Sequence, residues 1–208
     1  MIRYILLHGL GQEADSWAEL RRLMDKEQTF ATPELSHFLV GKTVSYETRY
    51  ETFSAYCDGF KEPLCLTGLS LGGVLALHYG IQHPEKVRGL VLMGAQFSPP
   101  KALMAFQNVV FRLLPKSSFG DSGFGKEDFL RLYRTMGALD LSAELSKVSC
   151  PVLVLCGEKD RANLPASRTL AQGLSNARLE VLPGCGHELN TQAPEALAQL
   201  LLPFFRGL

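Results

Sequence analysis

The amino-acid sequence predicts an α/β fold in which a mostly or wholly parallel sheet of about six strands carries helices on both faces. Short apolar runs alternate along the chain with longer stretches whose apolar residues recur at helical spacing. These runs are continuous rather than alternating, which is typical of strands buried on both faces of a parallel sheet. With 208 residues, 46% of them apolar and 20% charged, the chain has the size and composition of one globular domain.

The elements can be justified in order from these runs. The predicted strands are residues 4–7, 29–32, 63–67, 87–93, 151–155 and 177–182. The predicted helices between and after them are residues 16–24, 43–60, 71–83, 165–174 and 193–205. The third of these helices ends at Pro84, which lacks the backbone N–H that a helix interior needs. Because ligands bind at the carboxyl ends of parallel strands, the residues that follow each strand are the candidates for a site.

The stretch from Phe97 to Ser149 breaks the alternation of strands and helices. Two helical patterns, over residues 101–114 and 127–139, follow each other with no strand between them. The connecting residues 116–125 contain three glycines and three serines, a composition typical of a hinge. The pair could fill the space of a missing crossover. Alternatively, residues 97–149 form a short helical cap inserted into a single domain that spans residues 1–208.

Charge and cysteine content exclude several classes of function. Twenty-one basic residues balance twenty-one acidic ones, so no basic field favours binding to nucleic acid or to a membrane surface. The five cysteines are too few and too scattered for a disulfide framework and include no zinc-type pair. No apolar run approaches the roughly 18 residues of a membrane span, and no secretory signal begins the sequence. We therefore expect a soluble protein of a reducing compartment, the cytoplasm.

The residues after the third predicted strand have the pattern Gly-x-Ser-x-Gly, centred on Ser70. The pattern is weak by itself but gains weight here because it lies between a predicted strand and a predicted helix. In such a sharp turn the serine takes a strained conformation, and side chains at the flanking positions would collide, which favours Gly68 and Gly72. The turn would expose the Ser70 hydroxyl at the start of a helix.

A serine hydroxyl is a poor nucleophile unless a base takes its proton and a third group orients that base. His187 follows the last predicted strand, and Asp160 follows the one before it, so both should lie at the same sheet edge as Ser70. Glu158 is an alternative acid, although its position favours a solvated loop charge. The chain order Ser, Asp, His accompanies this type of turn on a parallel sheet.

Taken together, these motifs and the early His8-Gly9-Leu10-Gly11 resemble the α/β-hydrolase family over almost the whole chain. The resemblance implies that Ser70 is the nucleophile, His187 the general base and then acid, and Asp160 the orienting carboxylate. It also implies an oxyanion hole formed by the backbone N–H groups of Leu10 and Leu71. His8 would then be structural rather than a second base. No cofactor and no metal are implied.

The chain departs from the family in two respects. Family members usually begin with an antiparallel hairpin, whereas this chain starts at the His-Gly strand, so we expect every strand to be parallel. The inserted segment is short for a cap, so the pocket could be open. Neither departure affects Ser70, Asp160 or His187, but both weaken inference of the substrate from relatives.

The sequence therefore predicts a serine hydrolase, most simply a carboxylesterase that cleaves small to medium esters. Two alternatives stay open. The same triad could serve lyase chemistry, or thioester or carbon–carbon bond hydrolysis, because one fold hosts many reactions. The chain could also be a ligand receptor that turns over slowly. The expected partner is a small ester-like molecule, and the sequence does not determine the oligomeric state.

Overall fold

The computed structural model describes residues 3–25, 28–100, 112–113, 115 and 125–208. Its strands are β1 (Arg3–Leu7), β2 (Phe30–Ala31), β3 (Leu64–Leu69), β4 (Val87–Met93), β5 (Val152–Gly157) and β6 (Ala177–Leu182). They form one six-stranded sheet in the order β2-β1-β3-β4-β5-β6, and every neighbouring pair is parallel. The predicted fold class is confirmed, including the all-parallel sheet.

The described α-helices are α1 (Ala18–Leu23), α2 (Tyr46–Asp58), α3 (Leu71–Gln82), α4 (Lys126–Gly137), α5 (Leu164–Gly173), α6 (Leu189–Gln192) and α7 (Pro194–Arg206). The helix predicted from residue 16 begins instead as a 3-10 turn, Ala14–Trp17, and continues as α1. The helix predicted from residue 43 begins later, because Ser45 caps it by accepting a hydrogen bond from the Thr48 amide at 3.2 Å.

Each face of the sheet buries its own apolar cluster. In β1, Ile5 and Leu7 belong to the cluster beneath α2, α3 and α5, while Tyr4 and Leu6 belong to the cluster beneath α1 and α7. This division follows from the two-residue period of a strand, which points successive side chains to opposite faces. Ile5, Leu6 and Leu7 are fully buried, and each such side chain stabilises the fold by about 1.5–3 kcal/mol.

The strand order reverses between β1 and β3. The chain passes from β1 outward to β2, then returns to the other side of β1 and continues outward from β3 to β6. The loops after β1 and β3 therefore leave the sheet in opposite directions, and a reversal of this kind is where open α/β sheets have their ligand-binding crevice. The register pairs Leu7 with Gly68, so the residues after Leu7 lie beside the Gly-x-Ser-x-Gly turn.

Part of the 97–149 stretch packs on the main domain. Leu132 of α4 and Leu141 are buried in the same cluster as the sheet, and Leu141 N donates to Phe97 O at 3.0 Å. The first amide of α2, that of Tyr46, donates to the hydroxyl of Thr135 in α4 at 2.9 Å. The helix predicted over residues 101–114, apart from residues 112 and 113, and most of the 116–125 connection lie outside the described residues.

Candidate active site

Ser70 lies directly after β3 and precedes the first residue of α3. Its φ is 53° and its ψ is −114°, and among the described residues it is the only non-glycine with a positive φ. Such a conformation costs about 1–3 kcal/mol and persists only where the surroundings fix it. Here the Ser70 amide donates to Met93 O at 2.7 Å, and Ser70 O accepts from Val74 N at 3.0 Å. The turn is therefore fixed both to β4 and to the first turn of α3.

The two glycines of the motif allow this turn to sit tightly on the sheet. A Cβ atom at Gly68 would overlap the backbone of Gly72, and a Cβ atom at Gly72 would overlap the carbonyl group of Leu7. Helix α3 thus begins almost in contact with the end of β1. A side chain would therefore collide at both positions, as the sequence predicts. At Gly68 it would meet the backbone of the turn itself, and at Gly72 it would meet the neighbouring strand β1.

Asp160 and His187 are in direct contact although they lie on different loops. The Nδ1 atom of His187 is 2.6 Å from Oδ2 of Asp160. The Asp160 side chain is 5% exposed, and that of His187 is 36% exposed. Since Nδ1 faces the carboxylate, Nε2 is the imidazole nitrogen left to exchange a proton with another group.

The two loops approach each other closely because of Gly157, the last residue of β5. A Cβ atom there would overlap the carbonyl groups of Cys185 and Gly186. The loops are also joined by backbone hydrogen bonds from Glu158 to Leu182, at 2.9 Å, and from Lys159 to Cys185, at 2.8 Å. This close approach brings the turn containing Asp160 alongside the loop containing His187.

Asn163 provides a second contact to the carboxylate of Asp160. Its Nδ2 lies 2.8 Å from Oδ1 and 3.0 Å from Oδ2. Burial by itself raises the pKa of Asp160, but the hydrogen bonds and charge of His187, together with hydrogen bonds from Asn163, outweigh burial and lower that pKa. Asp160 is therefore ionised and oriented by two neighbours.

Gln96, in the loop after β4, holds Asn163 in turn. Its Nε2 donates to Oδ1 of Asn163 at 3.0 Å and to Ala162 O at 3.1 Å. Neither Asn163 nor Gln96 is among the site residues predicted from the sequence. A polar residue three positions after the end of β4 was the available signal for Gln96, whereas nothing in the sequence indicates that an amide 67 positions away is its partner.

Ser70 and His187 converge on the end of β4. A Cβ atom at Gly94 would lie 2.9 Å from Cε1 and 3.0 Å from Nδ1 of His187, and Gly94 has a φ of +54°. The residue before it, Met93, accepts the hydrogen bond from the Ser70 amide. Only glycine fits between these groups without displacing the imidazole.

The backbone amides of Leu10 and Leu71 lie on the two sides of the crevice. Leu71 is the first residue of α3, and Leu10 lies in the turn after β1. Among the residues that the structure describes, neither amide donates to a protein acceptor. Gly9 brings the two sides together, because a Cβ atom there would lie 3.6 Å from Cβ of Ser70. Unpaired donors beside a serine suit a developing negative charge.

His8 is occupied by partners at both ring nitrogens. Nδ1 lies 2.9 Å from Gly9 O, and Nε2 lies 3.0 Å from Oε1 of Glu34 and 3.1 Å from Leu35 N. The side chain is 5% exposed. These contacts support a structural role at the base of the loop after β1 and leave neither nitrogen to act as a base.

Glu158 has a partner of its own away from the imidazole. Its Oε2 accepts a hydrogen bond from Gly184 N at 2.8 Å, at an exposed position. The alternative acid thus supports the turn before His187, and the carboxylate in contact with the ring is that of Asp160. Cys185 lies in the same turn, with Sγ 3.5 Å from Pro183 O.

The described residues contain neither a membrane-spanning helix nor a cluster of metal ligands. No helix in them has the length and apolar character needed to cross a membrane. No group of three or more His, Cys, Asp or Glu side chains lies together there as a metal site requires.

Comparison with known proteins places this geometry in context. A model of the alpha/beta hydrolase family matches residues 4–200. A 2-hydroxymuconate semialdehyde hydrolase of Pseudomonas putida is 32% identical over 172 residues, which cover 67% of this chain and 61% of that protein. A 2-hydroxy-6-oxononadienedioate/2-hydroxy-6-oxononatrienedioate hydrolase of Paraburkholderia phymatum is 26% identical over 249 residues, covering 96% of this chain and 85% of that one.

A thermophilic esterase from Thermogutta terrifontis has a similar solved structure. It aligns with a TM-score of 0.81 at 20% sequence identity, covering 100% of this chain and 90% of the esterase. At that level of identity the similarity establishes the fold and not the substrate.

Proposed function

The chain belongs to the alpha/beta hydrolase family, and on that premise we propose that it is a serine hydrolase that cleaves small to medium carboxylic esters through an acyl-enzyme on Ser70. The contact between His187 and buried Asp160, at 2.6 Å, supports this most directly. It fixes Nδ1 as the nitrogen facing the acid and turns Nε2 to the other side of the ring. The strained Ser70, whose amide is held to the end of β4 beside His187, supports it further.

The first half of the reaction forms the acyl-enzyme. Ser70 Oγ attacks the ester carbonyl carbon while its proton passes to Nε2 of His187. The carbonyl oxygen becomes an oxyanion that accepts hydrogen bonds from the amides of Leu10 and Leu71. The tetrahedral intermediate then collapses, the carbon–oxygen bond to the alcohol breaks, and His187 gives its proton to the departing alkoxide.

The second half restores the enzyme. Water attacks the acyl carbon and gives a proton to His187, and the same two amides stabilise the second oxyanion. Collapse breaks the bond to Ser70 Oγ, which recovers its proton from His187, and the carboxylic acid leaves. Throughout, ionised Asp160 stabilises the imidazolium without taking its proton.

A fluorophosphonate probe tests this proposal, because it phosphonylates an activated serine. We expect the probe to label Ser70 alone, and Ser70→Ala to abolish labelling and lower kcat for p-nitrophenyl esters by about 10⁴-fold or more. Ser54→Ala, on the outer helix α2, is the matched control and should leave both unchanged. Equal labelling of wild type and Ser70→Ala would overturn the assignment. An absence of ester turnover would favour a receptor.

The names of the relatives favour a second candidate, hydrolysis of a carbon–carbon bond by the same groups. The 32% identical relative is named as a 2-hydroxymuconate semialdehyde hydrolase. The same chain should therefore be assayed with that compound beside the ester panel. A kcat/KM for it that exceeds every ester value would replace the esterase proposal while keeping Ser70 as the reactive residue.

We also propose that residues 97–149 act as a helical cap that selects the acyl group. Packing of α4 against the start of α2 and burial of Leu132 support this, because they anchor the segment near the domain. Each buried methylene adds about 0.8 kcal/mol, so discrimination by chain length should be moderate. Replacing Phe106, Val110 and Tyr133 singly with alanine should shift the acyl-length profile of kcat/KM. An unmoved profile would mean that the segment only fills space.

A cytoplasmic location remains a proposal based on the cysteines. All five are free, and Cys57, Cys65, Cys150 and Cys156 are buried. Free buried thiols behave as small apolar side chains and are typical of a reducing compartment. Fractionation of the native host, with a cytoplasmic marker enzyme alongside, tests the location.

A further inference from the structure

Two amide side chains from opposite ends of the chain are paired at the crevice. Gln12 Nε2 donates to Oδ1 of Asn190 at 3.2 Å, and Asn190 Nδ2 donates to Oε1 of Gln12 at 3.1 Å. The two hydrogen bonds close a ring between primary amides that are 178 positions apart in sequence. Asn190 is completely buried, so neither bond of its amide can be replaced by water without rearrangement.

The surroundings fix the orientation of both amides. Oε1 of Gln12 accepts a second hydrogen bond, from Gly9 N at 3.3 Å, so an oxygen must stand at that position. Nδ2 of Asn190 also lies 3.3 Å from Ser16 O, so a donor must stand there. Rotating either amide by 180° would place donor against donor or acceptor against acceptor.

The pair closes the turn that carries one of the proposed oxyanion donors. Gln12 N donates to Gly9 O at 3.2 Å while Gly9 N donates to the Gln12 side chain. Leu10 lies between these residues, and the next one, Gly11, has a φ of +84°. The amide of Gly9 directly precedes that of Leu10. Within the described part of the chain, the Gly9 amide donates its hydrogen bond to the side chain of Gln12.

At its other end the pair reaches the segment of the proposed base. Asn190 lies in α6, three residues after His187, and Leu189 N donates to His187 O at 3.1 Å. A displacement of Asn190 would therefore be transmitted to the backbone of His187.

We propose that Gln12 and Asn190 are positioning residues that hold the Leu10 amide and His187 in register with Ser70. This inference rests on the proposed function, in which Leu10 N–H and His187 act on the same tetrahedral intermediate. A main-chain donor has no side chain of its own to fix it, so its direction depends on the turn that contains it. The amide pair sets that direction and links it to the loop of the base.

Alanine substitution of each amide tests this. A donor misplaced by about 1 Å can cost about 10²-fold, so we expect Gln12→Ala and Asn190→Ala each to lower kcat for the best ester by about 10- to 100-fold. KM should change by less than about 3-fold, because the substrate ground state makes little use of the oxyanion hole. The affinity for a trifluoromethyl ketone, which forms an oxyanion on Ser70, should fall in parallel with kcat.

Three further variants separate positioning from general stability. The double variant Gln12→Ala with Asn190→Ala should lose no more than the worse single variant, since both remove one shared contact. The exchange Gln12→Asn with Asn190→Gln keeps the combined length of the pair and should recover part of the lost kcat. Gln82→Ala, at an exposed glutamine bonded to Glu144, should change nothing.

The outcomes distinguish this inference from the proposed function. If wild type shows no Ser70-dependent turnover, the proposed function fails and the inference fails with it. If wild type is active and Gln12→Ala retains its kcat and ketone affinity, only the inference fails. Gln12 is partly exposed, so this variant should fold and gives a result even if Asn190→Ala does not. A lower Tm with unchanged kcat would likewise reduce the pair to a structural contact.

Discussion

The turn after β1 and the loops after β5 and β6 reach the same edge of the sheet, but they contribute groups of different kinds. The loops after β5 and β6 contribute two side chains, Asp160 and His187, whose direct contact at 2.6 Å helps to hold them. The turn after β1 contributes a backbone amide, that of Leu10. We propose that this amide depends on Gln12 and Asn190 for its direction.

The two regions differ in how much they depend on contacts with residues that are distant in sequence. A hydrogen bond between an imidazole and a buried carboxylate orients both groups, and Asn163 adds a donor from only three residues away. A peptide N–H points wherever its turn directs it, so it needs a contact from elsewhere in the fold. Loss of Asn163 should therefore change the pH profile of activity. Loss of Gln12 or Asn190 should instead lower kcat and the affinity for the trifluoromethyl ketone in parallel.

The largest expected effect on the side with the acid and base comes from Asp160→Asn. The amide can no longer stabilise the imidazolium and favours the wrong tautomer of His187, so kcat should fall by about 10³- to 10⁴-fold. Glu158→Gln is the matched control and should change kcat little, because Glu158 contacts Gly184. Measured ester turnover with the opposite pattern would reverse the assignment of the acid.

A smaller effect is expected from Asn163→Ala, which leaves the Asp160–His187 contact in place. Removing this donor raises the pKa of Asp160 toward its ordinary value, since Asn163 helps to lower it. We expect kcat to fall by about 10-fold, roughly the value of one hydrogen bond to a charged group. Since the pKa of Asp160 then approaches its ordinary value of 3.8, the ionised carboxylate, and the activity that needs it, should be lost at a higher pH in acid than in wild type.

Asn176→Ala is the control for that variant, because Asn176 donates to Ser149 O at an exposed position. Its pH profile should match that of wild type. If Asn163→Ala also retains the wild-type profile, the local amide does not tune the acid. The Asp160–His187 contact would then need no neighbouring amide, in contrast to the turn that contains Leu10.

The smallest expected effect concerns Glu34, at the base of the turn after β1. Burial opposes ionisation, but hydrogen bonds from Ala14 and Ser36 and the charge of His8 together lower the pKa of Glu34. Because the folded-state pKa lies below the unfolded value of about 4.5, the ionised group stabilises the folded state above that pH. This contribution is lost as the pH falls through the folded-state pKa.

Glu34→Gln should therefore lower the free energy of unfolding by about 1 kcal/mol at neutral pH, and the difference from wild type should vanish in acid. Urea unfolding at several pH values measures both quantities. Glu19→Gln, at an exposed pair with Arg22, is the control and should show no such dependence. A difference that persists unchanged at low pH would show that shape, not charge, accounts for the effect of Glu34.

Residue type and order were sufficient to predict most of the fold and the contact between Asp160 and His187. Continuous apolar runs predicted six strands, and the bounds of β4 and β6 agree with the prediction to the residue. The glycines around Ser70 predicted a turn too tight for side chains, and the overlaps at Gly68 and Gly72 explain why. Asp160 and His187 could be identified from the sequence because a carboxylate and an imidazole that follow adjacent parallel strands lie at the same edge of the sheet.

The sequence by itself determined a parallel sheet, a strained serine turn and a carboxylate beside an imidazole, because each is encoded by local pattern and residue type. Only the tertiary structure decided which amides support them. Gln96 donates a hydrogen bond to Asn163, 67 positions away in sequence, and Gln12 pairs with Asn190, 178 positions away. Uncharged amides resemble any other surface polar group in sequence. Which amides become partners depends on the parallel register and on the reversal of strand order between β1 and β3, because these bring remote loops within hydrogen-bonding distance.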